Sequence, residues 1–131
     1  MQIISPKIRL NLTQGTIEGN GVVTGEKKLS QLAGVFWDED TRSSMDQEQI
    51  VYRVQAYMPV DEGTPGGLFF GHTIIYPGKV GREYFMTRGH FHSRVETAEF
   101  YWCLQGSGML VLMDKNRNLW AEEMTPGSLH Y

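Results

Sequence analysis

The sequence has a single cysteine, Cys103, in 131 residues, so it cannot form an intrachain disulfide. It contains no uninterrupted apolar run that approaches the roughly 20 residues of a membrane-spanning helix. Lysine and arginine total 12 against 15 acidic residues, so the strong positive charge typical of nucleic-acid-binding proteins is absent. The first residues lack the basic and apolar regions of a secretion signal. We therefore expect a cytoplasmic protein with no nucleic-acid partner and no membrane association.

Glycine, by contrast, is plentiful, with 15 residues, and it separates short runs rich in β-branched and aromatic side chains. That pattern is typical of an all-β sandwich or barrel. Hydrophobic residues make up 40% of the chain and charged residues 21%, as in ordinary folded proteins. A chain of this length suits one domain with a modest core, which we take as residues 1–131.

The alternation of apolar residues predicts strands separated by turn residues. Residues 27–33 predict one or two helical turns that end at Gly34, and Asp38–Gln49 predicts a surface loop or a short helix. The predicted strands are Lys7–Leu12, Thr16–Glu18, Val22–Val23, Ile50–Met58, Leu68–Tyr76, Tyr84–His92, Glu99–Leu104, Met109–Met113 and Leu119–Met124.

Two histidines, His90 and His92, stand one residue apart in the predicted strand Tyr84–His92. Side chains two positions apart in a strand point to the same face, so we expect the two imidazoles side by side. A pair of this kind is also compatible with two surface histidines. His72 has apolar neighbours, and we interpret it as a packed or hydrogen-bonded histidine rather than a ligand.

A carboxylate from the next predicted strand would complete a metal site. Glu99 begins that strand, and a hairpin after His92 would bring it beside the histidine pair. Glu96 is the rival carboxylate, but it falls in the predicted connecting loop, while an ion pair with a nearby arginine is the alternative role for Glu99. Two imidazoles and one carboxylate with open coordination positions suit Fe(II) and also tolerate Mn, Ni or Zn.

Polar groups near the histidines suggest an anionic ligand. Gly89 interrupts the alternation before His90 and predicts a β-bulge, which would turn Thr87 toward the same cavity. Thr73, on the strand Leu68–Tyr76, is a second candidate hydroxyl, although both threonines are also ordinary strand residues. Basic residues surround these strands and favour either a phosphate or a solvated rim. They are Lys79, Arg82, Arg88 and Arg94.

Two long motifs resemble a known family. Residues 68–81 read LFFGHTIIYPGKVG, and residues 84–92 read YFMTRGHFH. The similarity continues through AEFY at residues 98–101 and LQGSGML at residues 104–110. Together these motifs resemble the cupin-type phosphoglucose isomerases, the metal-dependent glucose-6-phosphate isomerases best known from archaea. The resemblance covers most of the chain, and residues 68–110 are its most specific part.

The resemblance implies a cupin, or jelly-roll-like, β-barrel that is usually a homodimer. It implies interconversion of glucose 6-phosphate and fructose 6-phosphate, through either a proton shift or a hydride shift. It implies His90, His92 and Glu99 as metal ligands, with Fe(II) the preferred ion and Glu99 also the catalytic base. Three of the implied substrate contacts bind phosphate (Thr73, Thr87 and Gly89), and two line the sugar site (Tyr101 and, more weakly, Tyr52).

The resembled family also has a second cupin motif, which supplies a fourth ligand, a histidine, after a Pro-Gly turn. Pro126-Gly127 matches that turn, but the histidine would come after Tyr131. Either the sequence given is a fragment of a longer family member, or the chain is a shortened relative with a barrel incomplete at its C-terminus and a site with three ligands. His130 aligns too early to be the fourth ligand, and we expect it to point away from the metal.

Two other functions are compatible with the same residues. A non-catalytic cupin module that binds metal or a sugar phosphate is the alternative favoured by the fourth ligand's absence. An Fe(II) oxygenase is the second, because two histidines and a carboxylate also suit oxygen activation. The candidate phosphate-binding threonines and the long family-like stretch argue against the oxygenase.

Overall fold

A computed structural model describes residues 1–94 and 96–131 of the chain. Eleven strands, one short α-helix and one 3₁₀ turn account for the regular structure of these residues. The elements are β1 (Ile8–Asn11), β2 (Thr16–Gly19), β3 (Val23–Lys28), a 3₁₀ turn (Leu29–Gln31), α1 (Glu39–Ser44), β4 (Ile50–Tyr57), β5 (Phe70–Ile75), β6 (Lys79–Val80), β7 (Glu83–Tyr84), β8 (Tyr101–Trp102), β9 (Gly108–Met113), β10 (Leu119–Met124) and β11 (Leu129–His130).

The all-β prediction is confirmed. Every strand pair is antiparallel, and the strands form small sheets of two or three members, as in a cupin-like fold. None of the sheets described closes into a barrel. No helix in the described residues is long and apolar enough to cross a membrane.

The chain divides into two compact units, residues 1–90 and residues 91–131. The first unit contains a three-stranded sheet in which β4 pairs with β3 on one edge and β5 on the other. The second unit contains the hairpin β9–β10 and the pair β8–β11. The interpretation of residues 1–131 as one domain stays a prediction.

The hydrophobic core of the first unit lies beneath β4 and the 3₁₀ turn. Leu29, Leu32, Val51 and Val80 are completely buried there. Aromatic rings fill the remaining space, since Phe36 and Phe85 pack with their centroids 6.5 Å apart. Burial of these apolar side chains is the dominant favourable term in the stability of this unit.

The polar segment after this core forms α1, as one of the two sequence alternatives predicted. Asp38 caps its N-terminus, because the Asp38 carboxylate accepts a hydrogen bond from the Thr41 amide at 3.0 Å. Arg42 from α1 is buried, and its guanidinium donates to the Leu29 carbonyl at 2.8 Å. That bond ties the helix to the 3₁₀ turn above the core.

Most predicted strands are confirmed within one or two residues at each end, but Val22–Val23 is replaced by the longer strand β3, which ends at Lys28, and two strands are much shorter than predicted. The strand Tyr84–His92 is replaced by β7, which ends at Tyr84, and Glu99–Leu104 is reduced to β8. The Phe85 amide donates to the Gly78 carbonyl at 2.9 Å, and the chain after Phe85 no longer continues the β6–β7 pair. The prediction that His90 and His92 lie in a strand was therefore wrong, and Val95, in the predicted hairpin connection, lies outside the described residues.

Side-chain contacts, rather than the hydrogen bonds of a strand ladder, position the segment before His90. The Arg88 guanidinium donates to the backbone carbonyls of Gln31 and Ala33, at 3.3 and 3.2 Å. This contact gives Arg88 a role in positioning its own segment, whereas the sequence suggested only a contribution to local positive charge. The predicted bulge at Gly89 does not occur, because a bulge requires a strand pair and no strand includes that residue.

Candidate functional site

The contacts of His92 define the centre of the candidate site. Its Nδ1 lies 2.9 Å from the Thr97 carbonyl oxygen, and its Nε2 lies 3.0 Å from Oε2 of Glu99. A carbonyl oxygen can only accept a hydrogen bond, so Nδ1 carries a proton. The lone pair of Nε2 in the neutral imidazole then faces the carboxylate, which makes this nitrogen the one available to a metal ion.

Two atoms that both carry lone pairs can lie this close only if a proton or a cation lies between them. In the metal-free protein a proton takes that place. The hydrogen bond to Glu99, and secondarily the one to the Thr97 carbonyl, raises the pKa of His92 above its usual value of 6.5. The pair is consequently an ion pair at mildly acidic pH.

His90 completes a group of potential metal ligands with His92 and Glu99. Each of the three side chains offers one ligand atom, and these atoms all lie within 4.8 Å of one another. His90 and Glu99 are exposed, and His92 is half-buried. The three predicted ligands thus lie together without the strand pairing that their sequence pattern predicted.

The geometry of this group fits a divalent ion. Ligand bonds of about 2.1 Å at a right angle place two donor atoms about 3 Å apart, which matches the distance between His92 Nε2 and Glu99 Oε2. Histidine ligands commonly donate their second ring nitrogen to a backbone carbonyl, as His92 does to Thr97. An imidazole and carboxylate donor set suits Fe(II), Mn(II), Ni(II) or Zn(II).

Tyr101 lies beside the same carboxylate. Burial of its ring, and secondarily its hydrogen bond to Glu99, raises the pKa of Tyr101 well above its ordinary value. The phenol therefore stays protonated at neutral pH and is a hydrogen-bond donor. Glu99 thus contacts the His92 imidazole and lines the same cleft as the Tyr101 phenol.

A cleft of about 500 Å³ opens beside these residues within the second unit. Its polar lining includes His92, Glu99 and Tyr101. Leu110, Leu112 and Trp120 contribute apolar lining. A cleft of this size, with a few polar groups among apolar and aromatic side chains, is typical of small-molecule sites.

The other predicted substrate residues lie in the first unit. Thr73 is exposed on β5, directly opposite Val54 of β4. Thr87 and Gly89 are exposed in the segment before His90, and a Cβ added at Gly89 would meet nothing within 4 Å. Tyr52 is buried, with 6% exposure, and packs in the hydrophobic core. Its ring has a packing role there, and the substrate roles of all four residues stay predictions.

His72 is half-buried on β5, as the interpretation of a packed histidine requires. Desolvation lowers its pKa below 6.5, so it is neutral at physiological pH. It takes no part in the group of potential metal ligands found among the described residues.

A polar network surrounds His130 that no sequence pattern predicted. The His130 Nδ1 lies 2.6 Å from Oε2 of Glu122, and its Nε2 lies 2.8 Å from the Ser128 hydroxyl. His130 lies directly opposite Tyr101 in the β8–β11 pair, so the two side chains share a face of the ladder. His130 does not belong to the group of potential metal ligands found among the described residues, and the expectation that it points away from a metal stays a prediction. The signal in sequence was a histidine that follows a predicted strand carrying a glutamate, which is too common to identify a network.

Comparisons with known proteins place these residues in a family. A family model described as glucose-6-phosphate isomerase matches residues 26–125. The chain is 37% identical over 126 residues to a glucose-6-phosphate isomerase of Thermococcus litoralis. The alignment covers 95% of this chain and 64% of that protein. It is 40% identical over 118 residues to the Pyrococcus horikoshii protein of the same name. That alignment covers 86% of this chain and 61% of the relative.

A third relative, the glucose-6-phosphate isomerase of Thermococcus onnurineus, is 39% identical over 116 residues, covering 85% of this chain and 60% of that protein. The chain therefore spans less than two thirds of the length of these relatives. The matched region contains His90, His92, Glu99 and Tyr101. The chain belongs to the glucose-6-phosphate isomerase family.

Proposed function

We propose that the protein is a metal-dependent aldose–ketose isomerase that interconverts glucose 6-phosphate and fructose 6-phosphate. The observation that carries this proposal is the group formed by His90, His92 and Glu99 in a chain of this family. Family membership alone supports the isomerase class, and the ligand group supports the dependence on metal. The combination disfavours an oxygenase, since the relatives are named isomerases.

His90, His92 and Glu99 would hold the metal ion, with Fe(II) as the preferred ion and Mn(II), Ni(II) or Zn(II) as substitutes. When bound, such an ion polarises the carbonyl and hydroxyl oxygens of the sugar and makes the neighbouring C–H bond more acidic. The Thr97 carbonyl supports this arrangement, because it fixes the ring of His92 with Nε2 directed at Glu99.

Glu99 is the proposed base. Its carboxylate takes a proton from the carbon beside the sugar carbonyl and returns it to the former carbonyl carbon, while the proton of the neighbouring hydroxyl moves to the carbonyl oxygen, which together convert an aldose into a ketose. Tyr101 lines the same cleft, and its phenol would donate a hydrogen bond to this carboxylate and orient it. The cleft beside both residues provides space for the sugar.

The proposal also includes the remaining substrate contacts, the oligomeric state and the cellular location. Thr73, Thr87 and the Gly89 amide would bind the phosphate, while Tyr101 and, more weakly, Tyr52 would line the sugar site. Exposed hydroxyls and a backbone unobstructed by a Cβ are accessible to an anion, as found for Thr73, Thr87 and Gly89. We further propose a homodimer in the cytoplasm.

A coupled assay tests the activity. The purified protein is stripped of metal with a chelator, reloaded with Fe(II), Mn(II), Ni(II) or Zn(II), and supplied with fructose 6-phosphate. Formation of glucose 6-phosphate is followed with a dehydrogenase specific for that product. Turnover that depends on added metal supports the proposal. Metal binding by calorimetry without turnover would instead support a non-catalytic module.

Solvent exchange tests the role of the base. A proton carried by Glu99 exchanges partly with solvent, so the reaction in D₂O should place deuterium on the carbon beside the carbonyl. A direct hydride shift between the two carbons would transfer the original hydrogen and incorporate no deuterium. Mass spectrometry of the product distinguishes the two outcomes.

A further inference from the structure

Trp120 is the largest apolar side chain that lines the cleft beside Glu99. It is 46% exposed, so a substantial part of the indole surface is accessible. Trp120 lies directly opposite Leu112 in the β9–β10 hairpin, so both side chains lie on the same face of that hairpin. The indole and Leu112 therefore contribute to one apolar surface of the cleft.

The indole is held by a hydrogen bond. Its Nε1 donates to Oε1 of Glu122 at 3.3 Å. Glu122 lies two residues further along β10 and therefore on the same face of the strand. The bond restricts rotation of the indole ring.

Glu122 is itself fixed by a second set of contacts. Its other oxygen, Oε2, accepts a hydrogen bond from Nδ1 of His130 at 2.6 Å, and His130 is only 6% exposed. The Ser128 hydroxyl lies 2.8 Å from Nε2 of the same ring and accepts a hydrogen bond from the Thr125 amide. Each polar atom of the network thus has a partner, which restricts every side chain to one orientation.

This arrangement suits a sugar. A sugar phosphate presents hydroxyl groups at its edges and C–H groups on its faces. His92, Glu99 and Tyr101 provide polar contacts in the cleft, whereas Trp120 provides a rigid apolar surface. A ring fixed before binding loses little conformational entropy when a ligand packs against it.

We propose that Trp120 contacts the substrate, with its indole against the C–H face of the sugar, and that Glu122 is the positioning residue of this indole. This inference rests on the proposed function, because it takes the substrate to be fructose 6-phosphate or glucose 6-phosphate. It adds to the predicted site a contact that no candidate residue from the sequence provides.

Matched tryptophan substitutions test the contact. Trp120→Phe removes the indole, and Trp102→Phe is the control, because Trp102 lies in the same unit, is 50% exposed and points to the face of β8 opposite Tyr101. Intrinsic fluorescence is recorded while fructose 6-phosphate is added to protein loaded with Zn(II). We expect Trp120→Phe to lose most of the substrate-induced change and Trp102→Phe to retain it.

Kinetics with the most active metal provide the second readout. Trp120→Phe should raise KM about tenfold, which is about 1.4 kcal/mol of binding free energy, with little change in kcat. Trp102→Phe should leave both constants unchanged. A fluorescence response that survives in Trp120→Phe together with an unchanged KM would overturn the proposed contact.

Glu122 variants test the positioning role. Glu122→Ala should raise KM as Trp120→Phe does, whereas Glu122→Gln keeps an oxygen that accepts from the indole and should restore most of the loss. A purely structural role would lower the melting temperature of Glu122→Ala without moving KM. That result, or a Gln variant no better than the Ala variant, would overturn the positioning role.

Calorimetry separates this inference from the proposed function. If no metal supports turnover, the isomerase proposal fails, but the contact still predicts that Trp120→Phe weakens binding of fructose 6-phosphate about tenfold and that Trp102→Phe does not. If the unsubstituted protein binds no fructose 6-phosphate, both the contact and the proposed substrate are wrong.

Discussion

His92 and Glu99 meet through Nε2 and Oε2 at 3.0 Å, while the other nitrogen of His92 is engaged by the Thr97 carbonyl. The carbonyl determines which nitrogen carries the proton, and so determines that Nε2 is the nitrogen available to a cation. One backbone contact therefore determines which nitrogen of His92 faces Glu99 as a possible ligand atom. The same contact explains why a local segment can build a ligand group without a strand ladder.

Glu99→Gln should abolish most of the proposed isomerase activity. The amide keeps the size of the side chain but neither accepts a proton nor contributes negative charge to a metal. We expect kcat to fall at least about 100-fold and metal affinity to fall as well. The coupled assay and a calorimetric metal titration measure the two effects.

Glu96→Gln is the matched control, because Glu96 also lines the cleft but does not belong to the ligand group. It should leave kcat within about threefold of the unsubstituted protein, since general acid–base roles are worth about 100-fold or more. Full activity of Glu99→Gln, or an equal loss in Glu96→Gln, would contradict the role assigned to Glu99.

In the metal-free protein, stability should depend on the protonation of His92. Its pKa is raised in the folded state, so its contribution is fully present below the unfolded value of about 6.5 and is lost as pH rises through the raised value. NMR titration of the imidazole in chelator-treated protein should give a pKa above 6.5. The same resonance in Glu99→Gln should titrate at lower pH, and an unchanged midpoint would exclude Glu99 as the main cause.

Metal affinity should show the opposite dependence on pH. A metal ion and a proton compete for Nε2 of His92, so affinity should increase as pH rises through the raised pKa. Calorimetric titrations with Zn(II) at several pH values between 5.5 and 7.5, in the same buffer series, would measure this increase. An affinity independent of pH in that interval would show that His92 is not a ligand.

The sequence predicted most strands because alternation and glycine turns are local signals. The strand Leu119–Met124 was predicted with the observed bounds, and β5 differs from its prediction by two residues at the start and one at the end. The strand Tyr84–His92 failed for a physical reason. Its alternation predicted paired strands, but the polar side chains find partners elsewhere, as Arg88 does on the carbonyls of Gln31 and Ala33.

The candidate site was predictable only where its residues lie close together in the sequence. His92 and Glu99 are seven residues apart, and their residue types together with a predicted hairpin suggested the contact. The network of Glu122 and His130 depends on how β10 and β11 follow the Thr125–Ser128 turn, where the Ser128 amide donates to the Thr125 carbonyl at 2.8 Å. No spacing rule specifies that turn geometry, so no sequence pattern connects these residues.

Leu32→Ala should destabilise the first unit strongly. Leu32 is completely buried against the 3₁₀ turn and β4. Removing its isobutyl group loses transfer free energy and leaves a cavity, which together cost about 2–5 kcal/mol. Urea denaturation measures the change in the free energy of unfolding. Leu68→Ala is the control, because Leu68 is 66% exposed and the same truncation there should cost less than about 0.5 kcal/mol.

Stability of the second unit at low pH should depend on Glu122. The hydrogen bond from His130, and secondarily that from the Trp120 indole, lowers the pKa of Glu122 below 4.5. A carboxylate with a lowered pKa contributes stability that is present above the unfolded value and is lost as pH falls through the folded value. Trp120 reports this transition directly, because its indole bonds to the same carboxylate. We therefore expect a fluorescence transition below pH 4.5 in Trp102→Phe protein that is absent in the Trp102→Phe, Glu122→Gln double variant, and a transition that persists in the double variant would assign it to another group.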